Sequence, residues 1–285
     1  MSETTPTGDT VPFEKYHGTG NDFLLIDAYE RVPNRGGLAE RECDRDRGVG
    51  ADGILFLALE PDYRPPRVVM TLFQPDGRTA PMCGNGARCA AVWAMERTDA
   101  DAVMIDTQAG TRRAERVEDG ISLEMGRPSF EPADVPVDAD EALLETEIEG
   151  LPVTAVDTGV PHAVAFVDDV EDVDLESVGP SIRHAEIFPQ GSNVTVASPD
   201  DGGFRQRTFE RGVEDETRSC GTGAVAIAAV ARRLGLNEND SIPVRPPGGD
   251  LRVEFRGDDS VDLVGPVAFE FDGKVSVEGP FSGRS

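Results

Sequence analysis

The chain has 285 residues, and Asp and Glu outnumber Lys and Arg 54 to 27, a formal net charge of −27. That excess works against direct binding to DNA or RNA, where phosphate neutralisation by basic side chains supplies most of the affinity, and against docking on anionic membranes. The length suits one large domain or two of roughly 140 residues. Lysine stands only at positions 15 and 274, and every other base is arginine. An acidic, Lys-poor composition fits work in concentrated salt, which screens the self-repulsion of so large a charge.

Taken in chain order, residues 1–10 are polar and acidic and read as a disordered tail without a basic-then-apolar secretion signal. Short apolar stretches then alternate with Gly, Pro and Asp turns. Phe23 to Ile26, Ile54 to Leu59, Val68 to Phe73, Val103 to Ile105 and Ile121 to Met125 predict strands. Ala87 to Arg97 and Ala224 to Leu234, rich in Ala and without internal Gly or Pro, predict helices. The acidic, Pro-containing stretch Ser129 to Glu149 reads as a linker with one exposed helix, dividing a domain over 11–129 from a second over 130–273. No segment reaches the roughly 20 apolar residues of a transmembrane helix. Four cysteines are too few for a disulfide framework, so a reducing cytoplasm is the expected compartment.

The two helices expose a duplication. One opens Cys83-Gly84-Asn85-Gly86-Ala87 and the other Cys220-Gly221-Thr222-Gly223-Ala224. Thr19-Gly20 precedes Cys83 by 63 residues, and Thr158-Gly159 precedes Cys220 by 61. Gly110 follows the first cysteine by 27 and Gly249 the second by 29; Gly126 and Gly265 follow by 43 and 45. Landmarks in register to within two residues indicate one unit present twice. The period of about 140 is too long for a solenoid.

Each of these cysteines stands at a helix N-terminus, where unpaired N–H groups and a partial positive charge lower a thiol pKa. The glycines beside it let an anion approach the backbone. Two such units facing each other would put two thiols around one carboxylate-bearing ligand. That suits inversion at a carbon next to a carboxylate: one thiolate removes the α-proton and the opposing thiol protonates the other face. Helix N–H groups would stabilise the carbanion. Packing alone does not ask for Cys at both equivalent places. Cys43 and Cys89 read as small structural residues.

His17-Gly18-Thr19-Gly20-Asn21-Asp22-Phe23, Met82 to Cys89, Gly159-Val160-Pro161-His162, Asn193-Val194, Glu210-Arg211-Gly212, Cys220 to Ala224 and Pro247-Gly248-Gly249 together resemble the diaminopimelate epimerase family, over about residues 13 to 278. The resemblance implies an α/β fold of the α+β type. It consists of two similar domains from an internal duplication, each a curved, mostly antiparallel sheet wrapped around a central helix, with residues 274–285 returning to the first. It implies interconversion of LL- and meso-diaminopimelate without metal or other cofactor, by a homodimer. Carried over, Cys83 and Cys220 match the catalytic thiols. Gly84, Asn85, Gly221 and Thr222 match the carboxylate cradle. Asn21, Asn193, Glu210 and Arg211 match substrate-binding positions, and His162 and Glu210 match groups that tune the thiols.

The chain departs from the family pattern at two substrate-reading positions, with Gln74 and Val160 where the family has Asn. The interval from Arg211 to Cys220 is one residue longer. Two alternatives therefore stay open: another cofactor-independent amino-acid racemase on the same scaffold, and a redox-sensing or ligand-binding protein with paired thiols. Gly48-Val49-Gly50-Ala51-Asp52-Gly53 matches a dinucleotide fingerprint but precedes a strand-like run instead of opening a helix. His17, His162 and His184 lack metal-ligand spacing.

Overall fold

The computed structural model describes residues 9–277. In chain order the elements are β1 (Thr10–Gly18), β2 (Asn21–Asp27), α1 (Arg35–Glu42), β3 (Gly53–Glu60), β4 (Arg67–Phe73), β5 (Thr79–Ala80), α2 (Gly84–Thr98), β6 (Ala102–Thr107), β7 (Gly110–Val117), β8 (Gly120–Gly126) and β9 (Thr146–Ile148). There follow β10 (Leu151–Asp157), β11 (Pro161–Phe166), a 3₁₀ turn (Val170–Asp172), α3 (Leu175–Arg183), β12 (Asn193–Asp200), β13 (Gly203–Glu210), β14 (Asp215–Thr217), α4 (Gly221–Arg233), β15 (Ser241–Arg245), β16 (Leu251–Phe255), β17 (Val261–Gly265) and β18 (Ala268–Ser276). The chain divides into two units: one holds the chain up to Arg113 and again from Val267, and the other is Ala114–Pro266.

In the first unit β1 runs antiparallel to both β18 and β2. β2 lies parallel to β3, β3 antiparallel to β4, and β4 parallel to β6. The second unit repeats this order. β10 is antiparallel to β11, β11 parallel to β12, β12 antiparallel to β13, and β13 parallel to β15. The duplication read from the cysteine boxes is therefore a duplication of topology. The strand register gives the equivalences, since Phe23 pairs with Gly53 where His162 pairs with Asn193.

Each sheet encloses one helix. Every residue of α2 from Gly84 to Met95 is buried, and so is almost all of α4 from Gly221 to Ala231. A helix buried on all faces must be apolar all round and slender, which explains the Ala-rich sequences. α2 packs on β1, β2, β3, β4 and β6, and α4 on β10, β11, β12, β13, β15 and β16. Burying Val225, Ile227 and Val230 completely contributes about 1.5–3 kcal/mol each. The mixed α+β architecture with a helix inside each sheet is the expected one.

Several local expectations are corrected. Both central helices start earlier than Ala87 and Ala224, at Gly84 and Gly221, because each cysteine is itself the N-cap. Ser129 to Glu149 contains no helix and is not an exposed linker: Val135 and Leu143 pack into the core with Val153, Val196 and Phe209. α1 and α3 were not expected. The tail expectation over residues 1–10 falls, for residues 1–8, outside the described residues; β1 starts at Thr10. At the other end Lys274 to Ser276 lie in β18 beside β1, and residues 278–285 lie outside the described residues. Among the described residues no helix is long and apolar enough to cross a membrane.

Candidate active site

The half-site of the first unit is built where the β1–β2 turn meets the start of α2. The turn puts Thr19 at φ 50° and Gly20 at φ 84°. A left-handed β-branched residue is strained, and here the strain aims the Thr19 hydroxyl at the helix. Its Oγ1 donates to Asn85 Oδ1 at 3.4 Å and accepts from Arg88 Nη2 at 3.1 Å. Cys83 is the N-cap of α2, half-buried, and its Sγ accepts from Gly86 N at 3.5 Å.

A polar chain runs back from Asn85. Arg88 Nη2 donates to Asn85 Oδ1 at 2.9 Å, Asn85 Nδ2 donates to Asn21 Oδ1, and Asn21 Nδ2 donates to Asp52 Oδ2 at 3.2 Å. A guanidinium only donates and a carboxylate only accepts, so the two ends of this chain fix the orientation of both amides. Asp52 is held in turn by Arg45 at 2.7 Å. Arg45 and Lys15 both grip Asp22, at 2.8 and 2.7 Å. Burial pushes the Asp22 carboxyl up, but these two cations outweigh it and hold it down to about 2.

In the second unit the Thr158–Gly159 turn occupies the place of Thr19–Gly20, and Thr158 Oγ1 donates to the Thr222 carbonyl at 3.1 Å. Cys220 is the N-cap of α4, and its carbonyl accepts from Gln206 Nε2 at 3.0 Å. Its Sγ lies 3.4 Å from Thr222 Oγ1, which lies 3.0 Å from His162 Nε2. The imidazole tautomer follows from its neighbours. Asn193 Oδ1 accepts from the Arg211 backbone N–H at 2.7 Å, so Asn193 Nδ2 is the donor to His162 Nε2 at 3.2 Å. His162 therefore carries its proton on Nδ1 and gives it to Thr195 Oγ1 at 3.2 Å. Complete burial, reinforced by the charge of Arg211, brings His162 down to about 3, so it is neutral at ordinary pH.

The remaining site residues divide between the units. Glu210 ends β13 and accepts from Thr217 Oγ1. Arg211 follows it, with Nη1 donating to the Gln190 and Gly191 carbonyls at 3.2 and 3.3 Å. Asn193, His162, Thr222 and Cys220 thus form one bonded group with the Arg211 backbone. Asn21, Asn85 and Arg88 form another, beneath Cys83. Gln74 belongs to neither bonded group: it sits in the tight turn after β4, its backbone N–H on the Arg78 carbonyl and its carbonyl accepting from Gly77. Cys43 and Cys89 are buried thiols that burial pushes up to about 12.

Sequence reasoning missed Arg88, Asp52, Thr195, Gln206 and Thr208, whose Oγ1 lies 3.1 Å from Thr195 Oγ1 and accepts from Gln206 Nε2 at 3.0 Å. Only Arg88 left a signal, a charged residue amid the Ala-rich run Ala87 to Met95. The dinucleotide-like glycines at positions 48–53 lead into β3, which starts at Gly53, and open no helix.

The fold is that of a two-unit class seen in solved structures of low sequence identity. One is a PhzF-family phenazine biosynthesis protein of Bacillus anthracis, with TM-score 0.66 and 16% identity over 94% of this chain and 99% of that one. Another is a hydroxyproline epimerase of Agrobacterium vitis, with TM-score 0.64 and 18% identity over 95% of this chain and 94% of that one. Within that class, the diaminopimelate epimerase family model matches residues 13–131 and 154–269. Proteins named diaminopimelate epimerase from Methanocella arvoryzae and Methanothrix thermoacetophila are 42% and 44% identical, over 94% of this chain and 98% and 97% of theirs. The chain belongs to the diaminopimelate epimerase family.

Proposed function

We propose that this protein epimerises LL-diaminopimelate to the meso form through Cys83 and Cys220, on the route to lysine. The observation that carries the reading is the pair of Cys-Gly-x-Gly-Ala boxes, each capping the buried central helix of one duplicated unit in a chain of this family. One thiolate takes the α-proton. The opposing thiol gives its own proton to the other face, so the enzyme ends with the protonation of the two sulfurs exchanged. The electron pair left on carbon spreads into the carboxylate. The backbone N–H groups of Gly84 and Asn85, and of Gly221 and Thr222, stabilise that charge as it develops. The scheme calls for no metal and no pyridoxal phosphate.

Diaminopimelate has two identical amino-acid ends, so the enzyme must hold one while inverting the other. Arg211 suits the held carboxylate because its planar fork can bind two oxygens. Asn193 supports it by fixing its backbone N–H, and Glu210 is an acceptor for the distal ammonium. Val160 removes one neutral hydrogen bond, a loss of about 0.5–1.5 kcal/mol, against about 1.5–3 for each contact to a charged group. The charged contacts dominate. LL-diaminopimelate should therefore show a higher kcat/KM in concentrated salt than lysine, glutamate or proline. Faster inversion of any of these single-ended amino acids would replace the epimerase with a general racemase.

The active form is a homodimer working in a salty cytoplasm. Phe269 and Phe271 on β18 stand 52% and 44% exposed, beside an open groove of about 810 Å³ lined by Tyr16, Trp93 and Arg97. A second copy would cover these rings. The net charge of −27 leads to a further expectation. The Debye length shrinks from about 10 Å at 0.1 M salt to about 3 Å at 1 M, and most acid–Arg pairs here are surface pairs worth at most about 1 kcal/mol. The thermal unfolding midpoint should rise steeply with salt. A midpoint in dilute buffer equal to that in molar salt would refute the halophilic reading.

A further inference from the structure

Arg88 is the most unusual polar residue of the first unit. It is completely buried, and among the described residues its Nε and Nη1 have no hydrogen-bond partner while its Nη2 donates to Asn85 Oδ1 and Thr19 Oγ1. A buried guanidinium normally sits against a carboxylate, because burying an uncompensated charge costs several kcal/mol. Here the groups it acts on electrostatically are the Cys83 and Cys89 thiols, and burial brings it down only to about 10, so it stays charged at neutral pH. Burial pushes Cys89 up to about 12, so that thiol stays protonated.

The second unit meets the same need differently. The residue two places after each cysteine is Asn85 in one box and Thr222 in the other, and each rests on a buried basic side chain. In the first unit that side chain is Arg88, on the helix. In the second it is His162, on the strand, and the place on α4 equivalent to Arg88 is the apolar Val225. One half-site has a cation bonded to its cradle residue; the other has a neutral imidazole there, with the Arg211 charge acting on that ring.

We propose that Arg88 is a positioning residue of the first half-site. It fixes the Asn85 amide through Oδ1, and its uncompensated charge makes Cys83, and not Cys220, the sulfur that is ionised in the resting protein. The assignment rests on the two-thiol reading and adds to it a direction: the resting enzyme is ready to take a proton at Cys83 and to give one at Cys220.

Most other ionisable groups on the strands packed against α2 have partners of their own. Asp22 on β2 is paired with Lys15 and Arg45. Tyr16 on β1 donates to Glu14 and Glu96. Arg67 on β4 pairs with Glu60 on β3 and lies 3.9 Å from Asp106 on β6. His17 on β1 has a buried Nδ1 without a partner among the described residues.

The test is the pH dependence of alkylation by iodoacetamide, followed separately at Cys83 and Cys220 by peptide mass spectrometry. Midpoints are compared, because absolute rates also reflect access. In the wild-type protein the Cys83 midpoint should lie below that of Cys220. In Arg88→Met it should rise by about one unit, a roughly tenfold slower reaction at Cys83 near neutral pH, with the Cys220 midpoint unmoved. Arg88→Lys, which keeps the charge, should hold the wild-type midpoint. A wild-type Cys83 midpoint at or above that of Cys220 overturns the proposal, whether or not Arg88→Met folds. So does an unmoved Cys83 midpoint in folded Arg88→Met. No turnover is needed, so a failure here is distinct from a failure of the epimerase reading, which is judged on diaminopimelate inversion.

Discussion

Cys83→Ala and Cys220→Ala should each reduce inversion of diaminopimelate towards background, a loss of about 10²–10⁴-fold in kcat. Removing either thiol removes the base for one stereoisomer and the acid for the other, and a positioned acid or base contributes about 10²–10⁴ by itself. The two losses should not add, because the sulfurs act as a pair. Cys43→Ala and Cys89→Ala should remain active once folded, since both thiols are buried and pushed up to about 12. Kinetics of the four variants, each checked by circular dichroism, decide the assignment. An inactive, folded Cys43→Ala beside an active Cys83→Ala would reverse it.

Gly223→Ala should be the second large effect, and it should contrast with Gly86→Ala at the equivalent place. Helix propensity alone favours Ala over Gly by about 1 kcal/mol at both. A Cβ on Gly86 would make ordinary contact with the Leu55 methyls at 3.4 and 3.5 Å. A Cβ on Gly223 would lie 2.5 Å from Gln206 Nε2 and 3.1 Å from Thr208 Oγ1. Gln206 has no slack, because that nitrogen holds both Thr208 Oγ1 and the Cys220 carbonyl at 3.0 Å. Its displacement leaves buried polar groups unpaired and shifts the cap of α4. We expect a loss of about 1–3 kcal/mol in stability and, since a displacement of about 1 Å can cost about 10²-fold, a comparable fall in kcat/KM. Gly86→Ala should keep its melting temperature to within a few degrees. Equal melting temperatures for the two variants would remove this account of why the second cradle needs its glycine.

Much of the fold was legible because its two central helices are Ala-rich and apolar over most of their surface, and its strands are short, β-branched and bounded by turns. What stayed hidden had local causes. α1 has Gly36-Gly37 in its first turn, poor helix formers that are required by crowding: a Cβ on Gly36 would lie 2.7 Å from the Gly77 carbonyl, and one on Gly37 would strike the Asn34 cap at 2.5 Å. α3 contains Gly179-Pro180, where a Cβ on Gly179 would meet the Phe209 ring at 2.9 Å. Tertiary packing overrode propensity in both. Ser129 to Glu149 looked like a linker because of its charge and prolines, yet Val135 and Leu143 anchor it in the core.

The candidate site was legible as a repeat of cysteines and glycines, because backbone demands leave such marks. Its supporting shell was not. Thr195, Thr208 and Gln206 are ordinary polar residues on strands, and nothing in the sequence says that Thr195 meets a buried imidazole or that Thr208 and Gln206 link it to the Cys220 carbonyl. Asp52 sits at the end of a loop, and only the turn that brings Asn21 beside it gives it a role.

Hydrogen exchange at the α-carbon tests the two-thiol mechanism most directly. The protein, dialysed against a chelator and kept in concentrated salt, is given LL-diaminopimelate in deuterated water, and label and configuration are followed together. The mechanism predicts that the first meso product carries one deuterium at the inverted carbon and none at the other, without added metal or pyridoxal phosphate. Inversion that retains the original hydrogen, or activity that returns only when a metal or pyridoxal phosphate is supplied, would contradict it.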